Sequence, residues 1–318
     1  MHPGTGRALN AIFIHGKDSI MSLIVAILVD GVIYASWLFI VAAGLTLIYG
    51  VMRVLNMAHG SFYAIGAYTA ASLTGWYFAH NFPPYGSFVV IMVGAVVGGV
   101  VVGVVTERGV LKFLYGRPEV VMVLVTYGVL LVFEDLITLI WGVQSYYAYQ
   151  PYGLLGNVDI YGMTFVNYDF AMVGVAATIA MALWWWLNKS QHGKLLKMVI
   201  HDREAAVAVG INVRRLFVVT FAIGAGLGAL GGGIAAPSIA VSPGLGVEVI
   251  VLAFAVVVTG GLGSVEGALI GATLIGLARA AAVNLLPQAE LFVIYGVMAG
   301  VLAFRPRGLF ALATVRKI

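Results

Sequence analysis

Apolar stretches long enough to cross a bilayer follow one another almost without pause. Nine can be read, at roughly 21–50, 60–79, 87–106, 119–142, 169–188, 215–240, 247–263, 266–286 and 288–304. The hydrocarbon core of a bilayer is about 30 Å thick, which takes about 20 residues of helix. Backbone polar groups in lipid must be satisfied internally, and only helices and closed barrels achieve this. The sequence predicts an all-α polytopic membrane protein of about nine transmembrane helices, between eight and ten if one segment turns back. Composition agrees. Of 318 residues, 62% are hydrophobic and 9% charged, with a mean hydropathy of +1.03. A soluble domain carries roughly 25% charged residues, so an ordinary soluble enzyme and a disordered chain are both excluded. There are no cysteines, hence no disulfide, thiolate metal site or Cys nucleophile.

The basic residues set a sidedness. With residues 189–214 in the cytoplasm, alternation makes 51–59, 107–118, 264–265 and 305–318 cytoplasmic too. These segments, together with the adjoining Arg215, hold 14 of the 17 Lys and Arg residues; only Arg7 and Lys17 lie outside, and Arg279 lies within a span. Cytoplasmic loops carry such an excess, which places the N-terminus out and the C-terminus in. The net charge of +4 is read as this bias, not as a nucleic-acid footprint. Residues 1–19 read as a polar extracytoplasmic extension. They hold no cleavage-like site after a short apolar core, so the first span reads as retained. Residues 20–312 form the membrane domain, and 313–318 a cytoplasmic tail. Residues 143–168 lie outside and carry Tyr146, Tyr147, Tyr149, Tyr152, Tyr161 and Tyr168. Clustered Tyr fits an interfacial belt and equally a docking surface.

The cytoplasmic loop 189–214 contains a short helix. Asp202 can cap a helix starting at Arg203, Glu204 falls in its favourable first turn, and Gly210 with Asn212 ends it. Its face of Ala205, Ala206 and Ala208 is small enough to enter a groove on a partner; resting on anionic lipid is the other reading.

Two polar, glycine-ended segments interrupt the apolar pattern, near 51–60 and 259–267. Irregular backbone at membrane depth is tolerated only when buried in protein or lining a cavity. A break at 51–60 would aim the N–H groups of the helix starting near Gly60 at an anionic group. Asn56, His59 and Ser61 are its polar side chains, with Tyr63 following. The second break holds Thr259, Gly260, Gly261, Gly263 and Ser264. His59 can instead cap or pack, Ser61 and Ser264 can be N-caps, and Gly94, Gly98, Gly99 and Gly103 can serve close helix packing. Four charges lie inside spans: Asp30, Glu134, Asp135 and Arg279. They either handle solute or protons, or pair structurally, for example Arg279 with one of the acids.

Glu204-Ala205-Ala206, three residues and Gly210 resemble the EAA loop by which permeases of ABC importers dock their ATPase. His201, Asp202, Arg203, Ile211 and Asn212 belong to the same loop. Asn56-Met57-Ala58-His59-Gly60-Ser61 with Gly66-Ala67-Tyr68 resembles the N-x-A-H-G…G-A-Y signature of branched-chain amino acid permeases of LivH type. Thr259 to Ala268 resembles their G-G-x-G-S-x-x-G-A segment, and Arg305-Pro306-Arg307-Gly308-Leu309-Phe310 their R-P-x-G-L-F tail. The likeness runs from about residue 20 to 312. It departs at the extension 1–19, at Met57 where Phe is frequent, and at Glu266 where Pro is common.

The resemblance implies a permease that pairs with a second, LivM-like permease. Two LivG/LivF-like ATPases would bind below and a periplasmic solute-binding protein above, in a bacterial inner membrane. ATP and Mg would be bound by the ATPases, since this chain lacks a P-loop. Hydrophobic amino acids are the solute the family suggests; close relatives serve urea, short amides or aromatic acids. A stand-alone transporter or channel is the rival of another class, and it leaves the EAA-like loop unexplained. A membrane enzyme is disfavoured: the six His are far apart with no metal spacing, and no nucleophile elbow occurs.

Overall fold

The computed structural model describes residues 5–201 and 203–310. Asp202, residues 1–4 of the extension and the tail 313–318 lie outside the described residues. The chain is a helical bundle. A long helix α1 (Thr5–Met52) is followed by α2 (His59–Ala79), α3 (Ser87–Gly109) and α4 (Glu119–Trp141). The connection after α4 holds a one-turn helix α5 (Gln150–Gly153) and a hairpin of β1 (Asn157–Ile160) and β2 (Met163–Val166). Then come α6 (Asn167–Lys189), α7 (Gln191–His201), α8 (Arg203–Ala208) and α9 (Val213–Ala235). The chain closes with α10 (Leu245–Gly260), α11 (Val265–Leu285) and α12 (Glu290–Phe304).

Each of the nine apolar stretches is a helix. By length and apolarity, however, seven of the described helices can cross a membrane, not nine. The two that fall short have physical reasons. α10 has only 16 residues, about 24 Å at 1.5 Å per residue. α2 has 21 residues but is shielded by its neighbours on most of its length, so it can carry His59, Ser61 and Thr74 fully buried. The all-α expectation holds for the membrane part, while the connection between α4 and α6 adds a two-stranded hairpin that the sequence reading missed. α1 also begins at Thr5, so its helix runs back through the stretch read as a polar extension.

α2 and α9 form the centre, flanked by α1, α3, α10 and α11. The contact is made by small residues. Gly99 and Gly103 of α3 face Ala225 and Ala229 of α9 so closely that an added Cβ would collide with them. Such small-x-x-x-small pairs let backbones approach where lipid offers no hydrophobic drive. The pair that packs on α9 is therefore Gly99 and Gly103; Gly94 and Gly98 face Leu73 and Thr69 side chains of α2. α4, α6 and α12 lie outside, with Leu139 and Phe292 each 80% exposed.

The clustered tyrosines divide. Tyr147, Tyr149 and Tyr161 point outward. Tyr146 packs edge-on against Tyr68, Tyr152 donates to Asp169 at 2.8 Å, and Tyr168 donates to the Ile234 carbonyl at 2.7 Å. Burial, then the bond to Asp169, pushes the Tyr152 phenol well above its usual range.

Candidate translocation centre and coupling helix

α1 ends where Arg53 takes a left-handed conformation (φ 53°). The chain then runs without helix to Asn56, turns at Met57 and Ala58, and opens α2 at His59. This turn lies deep in the bundle. His59 Nε2 bonds the Val41 carbonyl at 3.0 Å, and its ring lies against Gly44 of α1 and Gly228 of α9. Gly44 in turn packs on Gly224, midway along the 23 residues of α9. A carbonyl only accepts, so Nε2 carries the hydrogen and Nδ1 is left an acceptor.

Asn56, His59 and Ser61 are fully buried. Both amide atoms of Asn56, Nδ1 of His59 and Oγ of Ser61 have no hydrogen-bond partner among the described residues. Each such group costs about 1–3 kcal/mol, and few persist in native folds without a cause. Tyr63, one turn on, is 2% exposed and stacks on Trp37. The expectation of free N–H groups at the start of α2 is corrected. In this conformation His59, Gly60 and Ser61 donate their N–H groups to the carbonyls of Asn56, Met57 and Ala58 at 3.1–3.4 Å. The tight turn into α2 consumes them.

The sequence reading did not anticipate what meets α2 here. Gly60 packs backbone to backbone on Gly246, in the first turn of α10, where a Cβ on Gly60 would collide with the Gly246 carbonyl. Two helix N-termini therefore abut inside the bundle. The start of α10 is capped from α4: Glu134 Oε2 accepts from the Gly244 N–H at 2.9 Å. The carboxylate lies at a positive helix end, while its Oε1 is buried without a partner. The signals were an acid within an apolar span and Pro243-Gly244 before the stretch at 247–263.

The second break lies at the other end of α10. Thr259 and Gly260 are its last residues, and Gly261 and Gly263 adopt φ of 111° and 85° in the turn to α11. Ser264 is the N-cap of α11, accepting from Gly267 N–H at 3.0 Å. The tail motif completes this end: Leu309 and Phe310 donate to the carbonyls of Thr259 and Gly260 at 3.0 and 2.8 Å. The turn rests on Gly50, at the end of α1. The first break thus begins beside the second, at Gly50 and Gly263, and ends at the opposite end of α10, where Gly60 meets Gly246. Thr259 is fully buried with its hydroxyl unpaired.

Of the intramembrane charges, Arg279 forms an ion pair, though not with the acids considered in the sequence. Arg279 bonds Glu290 of α12 at 2.7 Å and lies over the Tyr34 ring at 4.0 Å. None of Asp30, Glu134 and Asp135 is its ion-pair partner. Asp30 accepts from Asn284 at 3.5 Å, and Asp135 is exposed. Among the described residues no three His, Asp or Glu side chains group as a metal set.

On the opposite face from the hairpin, α8 follows α7 at His201 and opens with Arg203, Glu204 and Ala205. Gly210 ends it in the left-handed region (φ 84°), Ile211 N–H closes on the Ala206 carbonyl at 3.0 Å, and Asn212 caps α9 by accepting from Arg215 N–H at 2.9 Å. The assignment of Ala206 to the free face is corrected. Ala206 is fully buried in a cluster with Leu196, Val213 and Phe217, and the outward residues are Val207, Ala208 and Val209.

Apolar helices interrupted inside the bundle, with one surface helix below, define a multi-pass α-helical membrane protein. The sequence model of the family described as branched-chain amino acid transport system / permease component matches residues 27–302, and the chain belongs to that family. The high-affinity branched-chain amino acid transport system permease protein BraD of Pseudomonas aeruginosa is 27% identical, over 92% of this chain and 97% of the relative. LivH of Escherichia coli K12 is 25% identical over 91% and 96%. A probable LivH of Methanocaldococcus jannaschii is 27% identical over 89% and 91%. A solved structure, PsaBC from Streptococcus pneumoniae in complex with Fab, aligns over 90% of this chain and 94% of that one at 16% identity and a TM-score of 0.44, too distant to carry a correspondence of parts.

Proposed function

We infer that this permease component carries branched-chain or other hydrophobic amino acids inward, driven by ATP that separate subunits hydrolyse. Its assembly is a heterodimer with a LivM-like permease, two LivG/LivF-like ATPases that bind ATP and Mg, and a periplasmic solute-binding protein. The membrane is the bacterial inner membrane, with the N-terminus out and the C-terminus in. Nine helices lie in it, α2 and α10 being partial spans that start inside the bundle.

The observation that carries the reading is the surface helix α8. It exposes Val207 (58%) and Val209 (71%) on an element anchored by Ala206 and locked to α9 by the Asn212 cap. Apolar residues on a rigid surface helix fit a partner groove. A push on α8 passes to α9, and α9 touches both α2 and α1 around His59. Rocking these helices would open the buried turn at Asn56, His59 and Ser61, whose unpaired polar atoms then meet the solute. Thr259, Gly260, Gly261, Gly263 and Ser264 shape the inner end of the pathway.

The test is reconstitution. Proteoliposomes with the whole assembly accumulate leucine only with the binding protein and ATP. Accumulation by this chain alone would refute the reading.

A further inference from the structure

A cleft and a furrow meet on the flank of α3 and α9, away from the centre. The cleft, of about 500 Å³, lies where α3 ends and α9 begins and is lined by Arg108, Lys112, Arg214 and Arg215. Its one carboxylate, Glu107, is 1% exposed and accepts from the Tyr115 hydroxyl at 2.6 Å. Among the described residues the only ion pair is Arg279 with Glu290, so none of the four cations is ion-paired there, and they outnumber the single buried carboxylate. The furrow, of about 510 Å³, continues from this cleft along the seam of α3 and α9, with Val96, Val100 and Val104 on one wall and Ile223 and Leu227 on the other. Val218 and Val219 line both.

We propose that this joined cleft and furrow is a binding site for an anionic phospholipid, with the phosphate among Arg108, Lys112, Arg214 and Arg215 and an acyl chain along the furrow. Basic pockets between membrane helices bind anionic headgroups, and guanidinium forks match phosphate oxygens. A free phosphate would satisfy the cleft but leave the apolar furrow beside it without a role. The furrow's length along α3, from Val96 to Val104, is about 12 Å, and it opens beside Val97, Val101 and Val105, which are exposed on α3. The occupant therefore has a charged head and an apolar tail, and a single-chain stretch of acyl fits. The lipid would brace the junction of α3 and α9 beside the coupling helix.

The test is native mass spectrometry of the full chain purified with equal phosphatidylglycerol and phosphatidylcholine, with sn-glycerol 3-phosphate as the soluble headgroup probe. The wild type should retain phosphatidylglycerol over phosphatidylcholine. Arg214→Gln with Arg215→Gln should lower that retention roughly thirtyfold, the loss of two surface cations; Arg108→Gln with Lys112→Gln should act alike, so a misfolded pair does not decide the matter. Val100→Trp, which fills the furrow at a position that does not line the cleft, should abolish lipid retention and leave glycerol phosphate binding unchanged. Equal retention of the two lipids would overturn the site. So would glycerol phosphate binding as tightly as phosphatidylglycerol with no effect of Val100→Trp, which would mark a free-anion pocket. A second polypeptide cross-linking along the furrow in place of lipid would overturn it as well.

Discussion

The Glu134 carboxylate accepts the backbone N–H of Gly244 across 110 residues of sequence, at 2.9 Å. It fixes the end of α10 beside Gly60 and the start of α2. Glu134→Leu should lower stability by about 1–2 kcal/mol, the cost of a lost cap, and Glu134→Gln, which keeps an acceptor, by less. Thermal unfolding in detergent with a urea series checks this. Equal midpoints for wild type and Glu134→Leu would remove the cap from the account.

Asn56 should show a trade between stability and function. Its buried amide lacks partners for both polar atoms, so Asn56→Leu removes a cost of about 1–3 kcal/mol in this conformation. The variant should be at least as stable as wild type while leucine uptake falls tenfold or more. Uptake at the wild-type rate would move the pathway away from this turn.

The Arg279–Glu290 pair is partly exposed, at 28% and 34%. A double-mutant cycle of Arg279→Gln and Glu290→Gln should give a coupling of about 0.2–1 kcal/mol, with uptake retained. A loss of transport in both single variants would instead place the pair on the pathway.

Two positions on the coupling segment should fail for different reasons. Ala206→Asp puts a charge into a closed apolar cluster and should destabilise the fold, seen as a lowered unfolding midpoint. Gly210→Val forces a β-branched residue into the left-handed region, a strain of about 1–2 kcal/mol, and should loosen α8 with milder thermal effect but clear loss of coupled uptake.

Much of this architecture was legible because bilayer thickness imposes a length on every span, and each of the nine apolar stretches is a helix. The short helix α8 was legible through local chemistry, since Gly210 ends it by rules that act over four residues, whereas Asn212, read as a turn-former, proves to cap α9. Less legible was anything decided by packing between distant segments. Which side of α8 is buried depends on where Leu196 and Phe217 fall. That α10 begins inside the bundle depends on Glu134 reaching Gly244, and Arg279 found Glu290 and not Asp30 because α12 folds back on α11. The hairpin between α4 and α6 was hidden because four-residue strands leave no period long enough to read.

The coupling face can be tested on a single atom, since the natural chain has no cysteine. A Val209→Cys variant, assembled with its ATPases in proteoliposomes, should take up leucine with ATP until a bulky maleimide is attached to that thiol. After labelling, ATP hydrolysis should continue while uptake collapses. Undiminished uptake after complete labelling would contradict the assignment of α8 as the element through which the ATPases drive the permease.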